Sequence, residues 1–314
     1  MCLAACIWNY NKWISSFLIL TTFSAFWPVY GLYGYLAGKA VFHGCLWYFF
    51  LMSYFSVQNL NALYRIMRIA VYFHVFVALI QKSNLTVMFK VPMIVGLMSN
   101  SLELSALVTI CLPAFLVLKR WKILLILIPI AGMILAKQFL GIIAFGAGAI
   151  FYLAVAHRMY WPVIPAIAGA VLWYKFIDEA FPSLRLYVWK QAIAAWYQHW
   201  ILGAGIGHWK VVFAQPMKID GCRWMTTHNE FLQMLFEVGI AAPLILIGYL
   251  TEILGKVTRK HTLPLSALVI AAVHCAASFP MHIAPIAMII VTWLAILDIT
   301  TGEQKKYELH NAVV

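Results

Sequence analysis

The chain has 314 residues, of which 64% are hydrophobic and only 10% are charged, and its formal net charge at pH 7 is +12. About a quarter of the residues in an average soluble domain are charged, so this composition excludes an ordinary water-soluble protein and predicts an integral membrane protein. The six cysteines have neither CxxC nor zinc-site spacing, so we expect no disulfide framework and no structural zinc.

The N-terminal apolar stretch continues past twenty residues without a small-residue cleavage site, which favours a retained membrane helix over a cleaved signal peptide. A helix needs about 20 mostly apolar residues to cross a bilayer. This rule predicts an all-α, polytopic protein with about ten transmembrane helices in a single membrane domain, 1–314. The predicted spans are 14–36, 40–58, 62–81, 101–118, 121–136, 139–156, 160–177, 228–250, 264–280 and 283–299.

Basic residues in the short loops predict the orientation of these spans, because cytoplasmic loops carry an excess of Lys and Arg. The side predicted to be cytoplasmic carries Lys12, Arg65, Arg68, Lys119, Arg120, Lys122, Arg158, Lys256, Arg259, Lys260, Lys305 and Lys306. Outside one long loop, the other side carries only Lys39, Lys82, Lys90 and Lys137. Both termini are therefore expected in the cytoplasm and the long loop, 178–227, on the outward side. Positive charge spread over short loops indicates topology and argues against nucleic-acid binding.

The outward loop 178–227 is rich in charged residues for so apolar a chain. Within it, the segment from Leu184 to Trp200 has helical spacing. Its aromatic and apolar stripe consists of Trp189, Ile193, Trp196, Tyr197 and Trp200. Because Trp and Tyr favour the membrane–water interface, this pattern predicts a helix lying on the outer membrane surface. Arg185 stands in the first turn of that helix, where it would bind either a substrate anion or lipid headgroups.

A glycine-rich turn, Gly203-Ala204-Gly205-Ile206-Gly207, follows the predicted interfacial helix. It has neither the preceding strand nor the spacing of a dinucleotide-binding fingerprint. We therefore expect a flexible turn that ends the helix. Backbone amides in a turn of this kind are suited to help bind a phosphate.

The eighth predicted span opens with Thr227-His228-Asn229-Glu230. Thr227 and Glu230 have the spacing of a capping box, which predicts that Thr227 caps the helix and that His228 is its first residue. The positive end of the helix dipole disfavours a charged imidazole there, so we expect a neutral ring that is able to accept a proton. The same helix end would attract an anion such as a phosphate.

Two further charged residues belong to the candidate site. Glu237 lies two turns deeper than Glu230, where we expect it to be paired, either in helix packing or in the site. Lys137 ends the fifth predicted span on the outward side, so Lys137, Arg185 and His228 share one predicted membrane face. Two cations and a neutral base suit a substrate with a diphosphate head and a lipid tail, since the cations bind the diphosphate and the base activates a hydroxyl.

The segments RLYVWKQAIAAWYQHWILGAGIG (185–207) and THNEFLQMLFEVGIAAPLILIGYL (227–250) resemble the O-antigen ligase family, which belongs with the O-antigen polymerases and pilin oligosaccharyltransferases. Ligases of that family have His, then Asn, Ser or Gln, nine residues, Gly, two residues, and Gly, Thr or Tyr. His228, Asn229 and Gly239 match this motif, and Ala242 departs from it. The family's outward Ser-Arg pair is replaced by Ala136-Lys137. Weaker similarities are Asn100-Ser101 and Ser278-Phe279-Pro280.

The resemblance covers residues 95–300 and is most specific between 185 and 242. It implies transfer of a glycan from undecaprenyl diphosphate to an acceptor hydroxyl, in ligases a sugar of the lipid A core, at the periplasmic face of the bacterial inner membrane. The implied enzyme is a metal-independent, inverting glycosyltransferase without a cofactor. The resemblance implies catalysis by His228 and Arg185 and diphosphate binding by Arg185 and Lys137. Supporting residues would be Asn229, Glu230, Glu237 and Arg223.

Two alternatives stay open. Within the same chemistry, the chain would be an O-antigen polymerase or a protein O-oligosaccharyltransferase. The other class is a membrane transporter, in which polar or broken helices lie near the middle of the membrane. The polar residues of this chain gather instead at one predicted face, and the candidate deep charge is Glu237. His74 and His274 also lie within predicted spans, where a lone histidine is more often a buried hydrogen-bonding residue.

Overall fold

The computed structural model describes residues 12–24, 31–83, 94–159, 184–212, 218–219, 222–223, 226–255 and 258–313. Within these ranges the chain is predominantly helical, which confirms the all-α prediction. The two strands found there, β1 (Lys218–Ile219) and β2 (Cys222–Arg223), pair antiparallel with Lys218 opposite Arg223. This two-residue ladder is too short to change the fold class.

The described α-helices are α1 (Lys12–Ser24), α2 (Gly31–Tyr54), α3 (Leu60–Ser83), α4 (Ser101–Cys111), α5 (Pro113–Leu116), α6 (Leu127–Ala136), α7 (Phe139–His157), α8 (Leu184–Gln198), α9 (Trp209–Val212), α10 (Glu230–Val238), α11 (Ala241–Leu254), α12 (Thr262–Ala277) and α13 (Ala284–Val313). Short 3-10 segments are Val57–Asn59, Arg120–Ile126, Arg259–His261 and Pro280–His282. The chain groups into two compact units, and the prediction of a single membrane domain stays a prediction.

The first unit comprises residues 1–53, 167–256 and 275–279. In it, α10 packs against α8, α11 and α1, and α11 also packs against α1. One buried cluster in it consists of Val188, Ala192, Trp209 and Phe236, and the rings of Trp209 and Phe236 meet edge to face with centroids 5.6 Å apart. This cluster fixes α8 against α10 through side chains that are removed from solvent.

Lys12 and Trp13 at the start of α1 bind a carboxylate on α11 in the same unit. The indole Nε1 of Trp13 donates to Glu252 Oε2 at 2.7 Å, and Lys12 Nζ lies 3.3 Å from the same oxygen. The Lys12 ammonium also lies 5.2 Å from the centroid of the Trp13 ring. Lys12 and Glu252 are partly exposed, so the value of this contact is orientation of the two helices more than stability.

The second unit comprises residues 54–166, 257–274 and 280–314 and is built around α4. Every residue of this helix except Leu102 is buried, including the polar residues Ser101, Glu103, Ser105 and Thr109. It packs against α3, α6, α7 and α13. Two polar contacts join helices of this unit, since Thr109 Oγ1 lies 2.8 Å from His274 Nε2 and Trp293 Nε1 donates to the Ile110 carbonyl at 3.0 Å.

Four helical segments are long and apolar enough to cross a membrane: Val57–Ser83, Phe139–His157, Arg259–Ala277 and Ala284–Gly302. They correspond to four of the predicted spans and support a membrane protein. The prediction of about ten transmembrane helices is wrong for the described residues. The predicted span 160–177 lies outside them.

The predicted count fails because hydropathy treats apolar runs as continuous helices, whereas the backbone bends inside several of them. The predicted span 101–118 divides where Pro113 begins a new helix, since proline cannot continue the hydrogen bonding of α4. The predicted span 228–250 divides at Gly239, where φ is 76°. A 3-10 segment, Arg120–Ile126, takes up the start of the predicted span 121–136 and leaves only ten residues for α6.

Substitution of Gly239 tests how far the stability of the first unit depends on the bend at this residue. Its φ of 76° and ψ of −170° lie in a region that is essentially restricted to glycine, and a Cβ there would overlap the Ile201 carbonyl. We expect Gly239→Ala to cost about 1–3 kcal/mol for the backbone alone and to lower the thermal unfolding midpoint of the detergent-solubilised protein. Gly44→Ala is the control, because a Cβ at Gly44 meets nothing within 4 Å. Equal midpoints of both variants would contradict this role of Gly239.

Candidate functional site

The spacing of the His-Asn-x9-Gly pattern equals the length of one short helix. The side-chain Oδ1 of Asn229 accepts the backbone N–H of Leu232 at 3.1 Å and so caps α10. Nine helical residues follow, and Gly239 ends the helix. The predicted capping box is therefore wrong, because Asn229 takes the capping position two residues later than expected. Glu230 is the first residue of α10 and is buried.

His228 precedes the cap of α10, outside the helix. Its φ is 53°, in the left-handed region, which is uncommon for a residue other than glycine. The half-buried imidazole meets the ring of Phe279 edge to face, with centroids 4.9 Å apart and an interplanar angle of 77°. A polar ring is thus held against an aromatic wall at a strained backbone position, an arrangement that is frequent at functional sites.

The imidazole of His228 is neutral at physiological pH. Burial lowers its pKa from 6.5 to about 4, and the positive charge of Arg185 acts in the same direction. The neutral ring agrees with the sequence-based expectation. Its cause is different, because burial and a neighbouring cation take the place of the helix dipole.

Arg185 reaches the same segment of the chain as His228. Its Nη1 donates to the carbonyl of Ala277 at 3.1 Å, and burial lowers the pKa of this half-buried guanidinium. A guanidinium has five N–H donors and stays protonated at neutral pH. Ala277 and Phe279 lie two residues apart, so Arg185 and His228 converge on one short stretch, 275–279. This convergence of two positions distant in sequence is the central feature of the candidate site.

Thr227 anchors the backbone next to His228 with all three of its polar groups. Its carbonyl accepts the indole N–H of Trp189 at 3.0 Å, and its N–H donates to Gln233 Oε1 at 3.3 Å. Its hydroxyl donates to the Asn229 carbonyl at 2.6 Å and accepts the Asn229 N–H at 3.1 Å. The predicted interfacial stripe therefore contains one Trp that turns inward to support the site.

The glycine-rich turn is fixed rather than flexible. Ala204 N–H donates to the Phe236 carbonyl at 2.8 Å, and Gly205 N–H donates to the Glu237 carbonyl at 2.9 Å. Gly203 has a φ of 70°, and a Cβ there would overlap the backbone of Glu237. The amides of Ala204 and Gly205 are already bonded, so the expectation that this turn binds phosphate is not supported at these residues. Its function is close packing against α10.

Glu237 serves the interior of the first unit. Its carboxylate Oε1 accepts the backbone N–H of Trp209 at 3.3 Å and the side-chain Nε2 of Gln233 at 3.2 Å, and the residue is 5% exposed. Its backbone carbonyl also accepts the hydroxyl of Ser24 at 3.2 Å. Of the two expected roles, helix packing is the one that these contacts support.

Of the other predicted residues, one belongs to the second unit and one is only partly described. Lys137 belongs to the second unit, where it ends α6 in the left-handed conformation, with a φ of 51° and an exposed side chain. Arg223 lies in β2. That the charge of Lys137 joins Arg185 stays a prediction.

Sequence reasoning missed three parts of the site: the carbonyl of Ala277, the ring of Phe279 and the amide of Gln233. Phe279 had a motif signal, as part of the Ser278-Phe279-Pro280 similarity. A backbone carbonyl leaves no trace in the residue type. Gln233 has no motif of its own, although a glutamine in an apolar helix indicates a buried hydrogen-bonding partner.

Comparison with known proteins adds no assignment to this geometry. No protein-family model matches the chain, and no curated protein matches it. Among the described residues, no group of three or more His, Cys, Asp and Glu side chains is placed to hold a metal ion. The candidate site is therefore defined by the arrangement of Arg185, His228 and the residues that hold them.

The coupling between Arg185 and His228 is testable by removing the cation. We expect Arg185→Gln to raise the pKa of His228 above about 4, while burial still keeps it below 6.5. Hydrogen–deuterium exchange at imidazole C2, followed by mass spectrometry across pH, measures this value for a single histidine. Lys190→Gln is the control, since Lys190 is exposed on the same helix. Equal shifts in both variants, or none in Arg185→Gln, would show that the two groups are not coupled.

Proposed function

We propose that this chain is a glycosyltransferase of the O-antigen ligase type. It would transfer a glycan from undecaprenyl diphosphate to an acceptor hydroxyl, a lipid A-core sugar, at the periplasmic face of the bacterial inner membrane. One observation carries the proposal: a guanidinium, Arg185, and a neutral imidazole, His228, converge on the segment 275–279. The motif resemblance supplies the donor and acceptor classes.

The chemistry suits these two groups. The acceptor oxygen attacks the anomeric carbon as the bond from that carbon to the diphosphate oxygen breaks, and the polyprenyl diphosphate leaves with the electron pair. The Arg185 guanidinium would bind the diphosphate through charge-assisted hydrogen bonds and stabilise its growing negative charge. The neutral His228 would accept the proton of the acceptor hydroxyl.

A pKa of about 4 makes His228 a weak base in the substrate-free protein. A bound diphosphate would change this, because its negative charge offsets that of Arg185 and favours the protonated imidazole. The donor would therefore raise the basicity of His228 when it binds. Such coupling would protect the resting site from protonation and activate it only in the loaded state.

Membrane placement supports the same proposal. Four helical segments are apolar and long enough to cross a bilayer. The exposed side of α8 carries Tyr187, Ile193 and Tyr197, and the adjoining Trp200 is also exposed, a composition that suits a membrane–water interface. Under the proposed topology, both termini are cytoplasmic, and α8 lies on the periplasmic surface where the donor lipid presents its diphosphate.

Acceptor choice separates the ligase from the related alternatives. Loss of an O-antigen polymerase leaves single glycan repeats attached to the lipid A core, whereas loss of a ligase leaves core without chains and accumulated carrier-linked glycan. Loss of a protein O-oligosaccharyltransferase leaves the glycan on the lipid A core unchanged. A transport role is less well supported, because Glu237 is held by a backbone N–H and a glutamine amide in helix packing.

The catalytic assignment predicts that His228→Ala and Arg185→Ala each abolish glycan attachment while leaving expression intact. His228→Ala removes the proton acceptor, and Arg185→Ala removes the diphosphate partner. The measurement is a lipopolysaccharide gel of a deletion strain complemented with each variant. Arg185→Lys should restore little activity, since an ammonium lacks the bidentate fork. The exposed residues His199 and Lys190 provide the matched controls His199→Ala and Lys190→Ala. Normal attachment by His228→Ala or Arg185→Ala would remove the assignment.

A test of the Lys137 charge needs a substitution that removes the charge and leaves the left-handed backbone at this residue unstrained. Its φ of 51° suits glycine, so Lys137→Gly removes the charge without straining the end of α6. We expect Lys137→Arg to keep glycan attachment and Lys137→Gly to lose most of it, in the same gel assay. If Lys137→Gly is as active as Lys137→Arg, the charge is dispensable and Arg185 acts without it.

A further inference from the structure

Gln233 is a buried residue in the middle of α10 whose side-chain amide connects Thr227, before the helix, to Glu237, one turn further along it. It is 3% exposed, its Oε1 accepts the N–H of Thr227 at 3.3 Å, and its Nε2 donates to Glu237 Oε1 at 3.2 Å. Burying an amide is costly unless both of its ends are hydrogen-bonded. The contacts of Gln233 satisfy both ends and connect Glu237 to the residue that precedes His228.

The direction of the amide is fixed by its neighbours. Glu237 Oε1 accepts the N–H of Trp209 at 3.3 Å and therefore acts as an acceptor. The amide must then present its NH₂ group to Glu237 and its oxygen to Thr227, which is the arrangement that satisfies the Thr227 N–H. An amide turned the other way would place two acceptors together and two donors together. The hydrogen bonds that connect Trp209, Glu237, Gln233 and Thr227 thus have only one favourable donor–acceptor arrangement.

This series of hydrogen bonds ends at Thr227, which directly precedes His228. His228 has a φ of 53°, and a side chain in the left-handed region is unfavourable unless the surroundings hold it. Thr227 is held from α8 by Trp189 and from α10 by Gln233. The bond to Gln233 holds the peptide group before Thr227, and the bond from Trp189 holds the peptide group that joins Thr227 to His228. The two bonds together fix the backbone on both sides of Thr227, and the loss of either one frees its approach to His228.

We propose that Gln233 is a positioning residue that holds the imidazole of His228 against Phe279 by orienting Thr227. Its effect on turnover rests on the proposed glycan transfer, whereas its effect on the geometry of His228 does not. Arg185 is held separately, by the Ala277 carbonyl. Loss of the Gln233 amide should therefore displace the base and leave the diphosphate partner in place.

The first test is Gln233→Met, which keeps the length of the side chain and removes both hydrogen-bonding ends. With a lipid-diphosphate glycan donor and membranes containing the full chain, we expect kcat to fall by about tenfold to a hundredfold, the order that a misplacement of roughly 1 Å produces. KM for the donor should change less than about twofold, because Arg185 keeps its place. Gln198→Met is the matched control, since Gln198 is exposed on α8. An unchanged kcat, or a loss expressed only in KM, would overturn the proposal.

The second test does not depend on turnover. C2 hydrogen–deuterium exchange at His228 should have its midpoint near pH 4 in the unmodified chain, and Gln233→Met should move it towards 6.5 as the ring leaves its buried position. The charged groups to consider are Arg185 on α8 and Glu230 and Glu237 on α10. Gln233→Met removes none of these charges, and of the three groups Glu237 loses a hydrogen bond, the one from Gln233 Nε2. A midpoint equal to that of the unmodified chain would overturn the proposal even if glycan transfer itself is not observed.

The third test is Gln233→Glu, which also serves if the methionine variant does not fold. When ionised, the carboxylate introduced by this substitution would repel Glu237, whereas a shared proton restores a donor between the two carboxylates and leaves an oxygen for Thr227. Activity relative to the unmodified chain should therefore rise as the pH falls from about 8 towards about 5, where a raised carboxyl pKa allows the pair to share a proton. Gln233→Met should show no such rise. If the activity of Gln233→Glu relative to the unmodified chain does not change with pH, the bridging role of Gln233 is contradicted.

Discussion

The first unit depends on the close backbone contact between the glycine-rich turn and the end of α10. Two N–H groups of the turn, from Ala204 and Gly205, bond to carbonyls in the last turn of α10, and Ile240 N–H bonds to the Trp200 carbonyl at 2.9 Å. Only glycine fits at Gly203 and Gly239, because any Cβ would overlap the opposing backbone. This contact fixes α8 relative to α10, and each of these helices carries or adjoins one member of the Arg185–His228 pair.

The site itself has the character of a preorganised polar cluster inside an apolar protein. The neutrality of His228 follows from its burial and from Arg185, and the two groups meet at Ala277 and Phe279. Because the backbone at His228 is strained, its geometry is maintained by hydrogen bonds of its neighbours more than by local preference. The protonation of a half-buried imidazole would respond strongly to a nearby anion, since charges are weakly screened away from water.

Residue patterns predicted the helical class and the helix containing Arg185 because these depend on local spacing. They failed at bends: Gly239 and Pro113 interrupt apolar runs that hydropathy reads as single spans. The cap at Asn229 was missed because Thr227 offered an equally good local signal, and the choice depends on contacts with Trp189 and Gln233. The pairing of Arg185 with Ala277 was beyond prediction, because it joins residues 92 positions apart through a backbone carbonyl.

The nine residues of α10 set the distance and the rotation between the cap at Asn229 and the bend at Gly239. An α-helix turns by about 100° and advances about 1.5 Å for each residue. Inserting or deleting one residue would swing Gly239 away from Gly203 while leaving every side-chain type in place. Substitution of Phe231, which is exposed on α10, leaves this spacing intact, whereas a change of one residue in length separates the histidine from the turn that anchors its helix. The length of this segment is therefore constrained together with its buried residues Gln233, Phe236 and Glu237.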